Sequence, residues 1–240
     1  MTIAAHAKIN WTLEVLGVRS DGYHDIRSIV LPISLHDTVT LEIAPEISCS
    51  MNASDGHLSA VPPEENLAYR AAVALKEFTG YAHGVRIAIE KRIPIGSGLG
   101  GGSADAAAVL NGLNELWGVN LPKEQLGEIA ICIGSDVPAL TLGGPVLIEG
   151  RGEKVHPCPQ QGDLPDLARI VVFAPGIFSS TSAVYREFRD SDRGCSLNDL
   201  QPAAIRLYPG IEDAIRHLER RGLQRVTMSG SGSAVYGLRP

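Results

Sequence analysis

With 240 residues, 44% hydrophobic and 20% charged, the chain has a globular composition and the length for one large or two small domains, which excludes a disordered or low-complexity protein. The formal net charge of −6 and the lack of a basic run argue against a nucleic-acid binder. Cys49, Cys132, Cys158 and Cys195 stand far apart without a Cys-x-x-Cys pair, so neither a zinc site nor a disulfide framework is indicated and a reducing cytoplasm is the expected compartment. No apolar stretch reaches membrane-spanning length, and residues 1–6 lack the basic start and long apolar run of a signal peptide.

Along residues 7–16, Ile9, Trp11, Leu13 and Val15 alternate with Lys8, Asn10, Thr12 and Glu14, the pattern of a strand with one buried face. Lys8 and Asn10 then share the opposite face, read most simply as solvated. A turn cluster at 17–23 holds Arg19 and Asp21-Gly22. Strands are expected at 25–35 and 38–43, separated by His36-Asp37, and another near 47–51, suggesting an antiparallel meander. A polar, proline-containing loop occupies 55–65. Asn66 is placed to cap a helix with apolar positions Leu67, Ala71, Ala74, Leu75 and Phe78, ended by Gly80. Val85, Ile87 and Ile89 alternate into a further strand that ends at Lys91-Arg92.

The stretch Pro94-Ile95-Gly96-Ser97-Gly98-Leu99-Gly100-Gly101-Gly102-Ser103-Ala104 leads straight into an alanine-rich helical pattern that runs to about Trp117. Glycines let the backbone turn and let a ligand approach closely, and the helix start turns unpaired N–H groups and a positive dipole end toward it. That combination is a phosphate or anion site, with Ser103 as N-cap and Asp105 in the first turn. Gly96-x-Gly98-x-x-Gly101 also matches a dinucleotide fingerprint, but a second helix rather than a strand follows, so the Rossmann unit fails. No Gly-Lys-Ser/Thr follows for a Walker loop. A flexible linker is the bland alternative, though a linker is rarely clamped between a strand and an amphipathic helix.

A helix from Pro122 or Lys123 carries Leu126, Ile129, Ala130 and Ile133, with Cys132 as a buried thiol, and is interrupted by Gly134-Ser135-Asp136-Val137-Pro138. Residues 144–155 read as a hairpin turning at Gly150-Arg151-Gly152. The proline-rich stretch 156–166 reads as a linker between domains 1–155 and 156–240. The second domain starts with a strand at 169–174. Helices follow at 181–188, 198–207 and 211–221, then a strand into Ser229-Gly230-Ser231-Gly232-Ser233, and a closing strand. The whole is α+β rather than doubly wound.

Phosphoryl transfer needs a positioned nucleophile, a group for its proton, and positive charge on the transferring oxygens. Asp136 is the carboxylate candidate, since a charge in a break between apolar runs needs a partner or a task. A helix-capping Asp is the equal alternative. Lys8 is placed to pair with Asp136 and keep it ionised to orient a hydroxyl. Lys8, Lys91 or a metal must supply the cationic help. Tyr23-His24 reads either as a ring platform with a hydrogen-bonding edge for a base or as ordinary strand residues.

Taken in order, Ala7-Lys8-Ile9-Asn10, Arg19-x-Asp21-Gly22-Tyr23-His24, Glu65-Asn66-Leu67, the 94–108 glycine stretch, Gly134 to Pro138 and Ser229 to Ser233 resemble the GHMP kinase superfamily across nearly the whole chain. The glycine stretch is specific to the superfamily, and Arg-x-Asp-Gly-Tyr-His to its cytidine-recognising branch. The resemblance implies a two-domain fold, an N-terminal unit like ribosomal protein S5 domain 2 and a C-terminal ferredoxin-like α/β unit. It implies a kinase that uses ATP and Mg²⁺ to phosphorylate the 2-hydroxyl of a diphosphocytidyl methylerythritol in non-mevalonate isoprenoid precursor synthesis. By that likeness ATP lies against Pro94 to Ala104 with Asn66 and Lys91 near the nucleotide, Asp136 is the base and Lys8 its partner. Tyr23 stacks on cytosine, His24 hydrogen-bonds to it, and Tyr185 covers its other face. Asn10 contacts substrate near the acceptor hydroxyl, and Thr181, Ser229, Gly230 and Ser231 close the substrate end. The implied partner is the small cytidine diphosphate substrate, without nucleic acid or membrane, in a monomer or weak homodimer. The metal ligands are not identified. Members of the family continue past the third motif through a further helix and strand, whereas this chain stops at Pro240.

Overall fold

A computed structural model describes residues 1–53, 62–158 and 164–240. Parts of the expected polar loop at 55–65 and of the expected linker at 156–166 therefore lie outside the described residues. The chain packs into two compact units, one of Met1–Ala7, Leu35–Ile93 and Gly100–Gly143, the other of Lys8–Ser34, Pro94–Leu99 and Gly144–Pro240. This interleaved division differs from the single cut expected near 155. The strands β1 (Thr2–Val18) and β2 (His24–Ala44) are long enough for each to contribute residues to both units. The residues His156 and Pro157, expected in the linker, instead belong to a strand.

In the first unit the strand order is β3-β4-β2, with β3 at Ser48–Ala53 and β4 at Gly84–Lys91. The expected meander is corrected in two ways. The strands expected at 25–35 and 38–43 are one continuous β2, because Asp37 turns its carboxylate inward and finds backbone donors there: Arg92 and Ile93 both give their N–H to its Oδ1. And β3 runs parallel to β4, from Ser48 opposite Arg86 to Ala53 opposite Lys91, with helix α1 (Leu67–Thr79) in the chain between them. Parallel neighbours require such a crossover. The end of β2 pairs antiparallel with β4, Thr38 opposite Glu90 through Ala44 opposite Gly84.

Helix α1 begins where expected: Asn66 accepts from the Ala68 N–H at 2.9 Å. It ends at Gly80, whose φ of 68° returns its N–H to Lys76 O. Phe78 is exposed, off the packed face that Ala68, Ala71, Ala72 and Leu75 define. Helix α2 (Gly101–Leu116) is buried almost all round, which its small side chains permit. Helices α3 (Lys123–Ile131) and α4 (Val137–Leu142) complete the unit. Cys132, expected buried, is exposed because it caps the C-terminus of α3 rather than continuing its inner face.

The second unit carries the first part of β2, which pairs antiparallel with β5 (Val146–Gly150), itself paired with β6 (Lys154–Pro157) as the expected hairpin. A second, three-stranded antiparallel sheet has the order β7-β9-β8, with β7 at Ile170–Phe173, β8 at Gln224–Met228 and β9 at Val235–Leu238. Helices α5 (Thr181–Glu187), α6 (Gln201–Leu207) and α7 (Gly210–Arg220) accompany it. The fully buried Tyr236 stacks beside Trp11 and donates its hydroxyl to the carbonyls of Asn10 and Trp11, which fixes β1 in this unit. Lys8 and Asn10, expected on a solvated face, are only 4% and 3% exposed. β1 is covered on both faces around Lys8 and Asn10, whereas Thr12 is half-buried and Glu14 exposed, so the polar alternation is a buried row at its start and a surface at its end.

Gly84 gives a steric test of the β3–β4 arrangement, since an added Cβ would lie 2.2 Å from the Glu46 carbonyl carbon. Backbone cannot yield as a side-chain tip can, so Gly84→Ala lowers stability in urea by about 1–3 kcal/mol. An unchanged urea midpoint would contradict this packing.

Candidate active site

In the first unit the glycine stretch becomes a helix one turn earlier than expected. Gly100, at φ 72°, is the N-cap of α2, and Ser103 lies inside the first turn rather than capping it. The left-handed conformation at the cap is one that glycine adopts without strain. Ala104 N–H closes the first turn on Gly100 O at 2.8 Å, which leaves the N–H groups of Gly101, Gly102 and Ser103 without helical acceptors. No side chain caps this end and no acidic residue lies in the first turn. The positive end of this 16-residue, largely buried helix thus carries the donors and dipole that suit an anion.

Asp105, expected in the first turn, sits further along α2 and turns inward, only 2% exposed. Its Oδ2 accepts from Lys91 Nζ at 2.6 Å, and the same ammonium donates to Asp37 Oδ2. The side chain of Lys91, expected at the nucleotide, is therefore committed to two buried carboxylates. Burial pushes the Asp105 carboxyl up to about 7, against the pull of the Lys91 ammonium, and Asp37 adds to the upward shift. Asn66, the other residue expected at the nucleotide, caps α1 and turns its amide Nδ2 toward Cys49 Sγ at 3.4 Å.

Asp136 occupies the N-cap position of α4, half-buried, but its side chain makes no capping hydrogen bond to that helix. The capping alternative accounts for its place in the chain and not for what its carboxylate does.

In the second unit Lys8 Nζ donates to Asn10 Oδ1 at 2.8 Å, Asn10 Nδ2 donates to Ser28 Oγ at 2.8 Å, and Ser28 Oγ donates to Thr12 O. This relay settles the Asn10 amide with its oxygen toward the ammonium. Lys8 N–H also bonds Leu99 O at 3.0 Å, tying β1 to the first half of the glycine stretch. Ser229 holds the same stretch from its own loop: its Oγ donates to Gly98 O at 3.1 Å and accepts from Asn10 N at 3.3 Å. The Ala234 N–H adds a bond to Ser97 O at 2.9 Å, and Ser97 Oγ turns back to Pro94 O at 2.6 Å. Gly230 sits close against this pair: an added Cβ would stand 3.2 Å from Asn10 Oδ1 and 3.3 Å from Lys8 Nζ, tighter than an ordinary contact. Thr181 Oγ1 meets Ser231 Oγ at 2.8 Å, and Ser179 Oγ donates to Ser231 O. Lys8, Asn10, Pro94 to Leu99, Thr181 and Ser229 to Ser231 are thus one connected group. Ile95 projects outward, 65% exposed, and Gly96 lies against the Phe178 ring.

The residues expected at the cytosine, Tyr23, His24 and Tyr185, lie in the same unit. His24 packs against Tyr185, ring centroids 5.0 Å apart, and edge-on to Phe188 at 5.9 Å. Burial lowers the His24 pKa, and the Arg193 charge lowers it further, which favours the neutral imidazole. Tyr23 is 56% exposed, with the Arg151 guanidinium 4.3 Å over its ring. Asp21 Oδ1 accepts the Tyr23 N–H at 3.1 Å and Arg19 N–H returns to Tyr23 O at 2.7 Å, so the Arg-x-Asp-Gly-Tyr-His segment is a closed turn.

Sequence reasoning missed Ser28, Asp37, Phe188 and Asn198, which carry no motif, and it read Arg151 only as a turn residue. Asn198, fully buried, donates its Nδ2 to the carbonyls of Met228 and Gly230 and so holds the glycine-serine loop. Among the described residues no group of three or more His, Cys, Asp or Glu is gathered for a metal, and no helix is long and apolar enough to cross a membrane.

Two family models match the chain, the GHMP kinases N terminal domain at residues 66–144 and the GHMP kinases C terminal at residues 181–239. A 4-diphosphocytidyl-2-C-methyl-D-erythritol kinase of Symbiobacterium thermophilum is 48% identical over 268 residues, covering 100% of this chain and 91% of the relative. The protein of that name from Pelotomaculum thermopropionicum is 37% identical, covering 99% and 88%. A crystal structure of 4-(cytidine 5'-diphospho)-2C-methyl-D-erythritol kinase superposes with a TM-score of 0.81 at 37% identity, covering 99% of this chain and 90% of the other. A homoserine kinase from Cytophaga hutchinsonii shares the fold at 20% identity, with a TM-score of 0.68 and coverage of 98% and 84%. The chain belongs to the GHMP kinase family and is a small-molecule kinase for which the family implies ATP as phosphoryl donor.

Proposed function

We propose that this chain transfers the γ-phosphoryl group of ATP to the 2-hydroxyl of 4-diphosphocytidyl-2-C-methyl-D-erythritol, releasing ADP, in the non-mevalonate route to isoprenoid precursors. The observation that carries this reading beyond the fold is the aromatic and imidazole set of Tyr23, His24, Tyr185 and Phe188 in a chain whose α2 begins uncapped on a glycine. Mevalonate and homoserine offer no base for such a set to recognise. The likenesses to homoserine and mevalonate kinases, at 20% and 14% identity, speak for the fold alone.

Each group has a physical task in this reading. The first-turn amides of α2 and the dipole behind them hold the triphosphate, a fixed arrangement of donors that needs no reorganisation as charge develops. Asp136 orients the acceptor hydroxyl and takes its proton. Lys8 offsets charge on the transferring oxygens, and Asn10, held by Lys8 and Ser28, sets the acceptor end of the substrate. Asn66 and the backbone around Lys91 meet the nucleoside, since the Lys91 ammonium is engaged with Asp37 and Asp105. Thr181, Ser229, Gly230 and Ser231 border the substrate.

A neutral His24 presents one ring N–H and one ring acceptor, suited to the mixed donor and acceptor edge of cytosine, whereas an imidazolium would present donors only. Tyr23 stacks on the base, with Arg151 on its ring. Mg²⁺ takes few protein ligands and keeps water and phosphate oxygens, so the lack of a gathered carboxylate cluster among the described residues is compatible with an ion carried by ATP. Bound there it neutralises phosphate charge. We further propose that the enzyme works in the cytoplasm as a monomer or weak homodimer, without nucleic acid or membrane.

Asp136→Asn leaves nucleotide binding nearly intact while steady-state turnover drops by ~10²–10⁴. Turnover equal to wild type would remove Asp136 from its role. The double variant Tyr23→Ala with His24→Ala weakens binding of the cytidine substrate, measured by calorimetry, far more than binding of ATP. An equal loss for both ligands would contradict the base-recognition assignment.

A further inference from the structure

Lys91, Asp37 and Asp105 form a buried charge cluster that the transfer of phosphate does not use. Their side chains are 7%, 0% and 3% exposed, and a single ammonium serves both carboxylates. Asp37 is the better satisfied, because its Oδ1 also accepts the N–H groups of Arg92 and Ile93 at the end of β4. Asp105 is short of partners: its Oδ1 is buried and has no hydrogen bond among the described residues. With both carboxylates ionised, the cluster holds a net negative charge in a site from which water is largely excluded. Protonating Asp105 cancels that charge.

The cluster stands directly behind the phosphate-facing end of α2. A Cβ on Gly101, the first residue of that helix, would lie 3.0 Å from Ile93 Cγ2 and 3.3 Å from Lys91 Nζ. Asp105 is on the helix, Lys91 and Ile93 are on the chain entering the glycine stretch, and Asp37 bonds to both Lys91 and Ile93. The joint between helix start and strand end is therefore lined by these three ionisable groups and by Ile93.

We propose that Asp37, Lys91 and Asp105 are a proton-sensitive anchor for the start of α2, so that ATP affinity in this chain follows the protonation of Asp105. The inference rests on the reading of that helix start as the triphosphate site. Asp105 is a positioning residue here, acting through Lys91 and Gly101 rather than touching ATP.

The ionisable groups that bear on Asp105 are Lys91 from β4 and Asp37 from β2, together with the Cys49 thiol from β3. Burial raises the Cys49 thiol to about 11, with Asp105 adding to the shift, so it remains uncharged below pH 9. The Asp105 carboxyl, raised to about 7, therefore titrates within the working range. The sign follows from the raised value: the folded state holds this proton more tightly than the unfolded chain does. The stabilisation is complete at low pH and is lost as pH rises through about 7.

The test compares the full chain with Asp105→Asn, which keeps an acceptor for Lys91 and mimics the neutral acid at every pH. Magnesium-ATP affinity and the thermal midpoint are measured for both proteins from pH 6 to pH 8.5; the titration of ATP itself cancels in the comparison. The ratio of wild-type to variant dissociation constants is near one at pH 6 and rises severalfold by pH 8.5, while the thermal midpoint of the variant gains on wild type over the same range. A ratio and a midpoint difference that both stay constant with pH would overturn the proposal. So would a midpoint difference that changes with pH beside a constant affinity ratio, since the cluster would then be structural only. Failure of wild type to bind ATP at any pH would overturn the triphosphate reading, and the coupling with it, while the midpoint profile would still report the titration.

Discussion

The N-terminal end of α2 depends on one backbone feature, a glycine in left-handed conformation at the cap of a buried helix. Gly100 closes the first turn without offering a side-chain acceptor, and no acidic side chain follows in that turn. The N–H groups that the helix itself leaves unpaired and the helix dipole then point in the same direction, one that favours negative charge. The alanines and Gly112 of α2 let the helix sit deep in its unit. A surface helix would lose much of this effect to water and salt.

The second unit solves a different problem, the placing of polar groups in a dry interior. Lys8 and Asn10 lie in a strand flanked on both faces, where an unpartnered amide would be costly. The relay from Lys8 to Asn10 to Ser28 to Thr12 O satisfies them in sequence, and Ser229 links Asn10 to the glycine stretch. Asn198 and Tyr236 hold the loop and the strand from behind through backbone carbonyls. Several of the residues that line the proposed substrate end are therefore positioned by hydrogen bonds rather than by apolar packing, which suits a site that must keep polar atoms at fixed places.

Much of this was legible from local signals. The cap at Asn66, the stop at Gly80, the hairpin at 150–152 and the glycine stretch each follow from chemistry within a few residues, and each is present. What was not legible depended on partners remote in the chain. Asp37 looked like a break between strands because its acceptors are filled from residues 91–93. Lys8 and Asn10 looked solvated because alternation shows two faces but not what covers each. Asp105 looked like a dipole-matching residue because nothing local reveals the Lys91 ammonium behind it. The parallel pairing of β3 with β4 was missed for the same reason: strand direction is set by the crossover through α1 and not by the strand's own residues. The Tyr23-His24 pair is ambiguous from residues alone, because the rings of Tyr185 and Phe188 that pack against His24 lie more than 150 residues away in the chain.

The account stands or falls on which hydroxyl the chain phosphorylates. The direct measurement is ADP release with magnesium-ATP and, side by side, 4-diphosphocytidyl-2-C-methyl-D-erythritol, mevalonate and homoserine as acceptors. The account predicts turnover with the cytidine compound and background rates with the other two. Turnover with mevalonate or homoserine at a rate equal to or above that with the cytidine compound would contradict it.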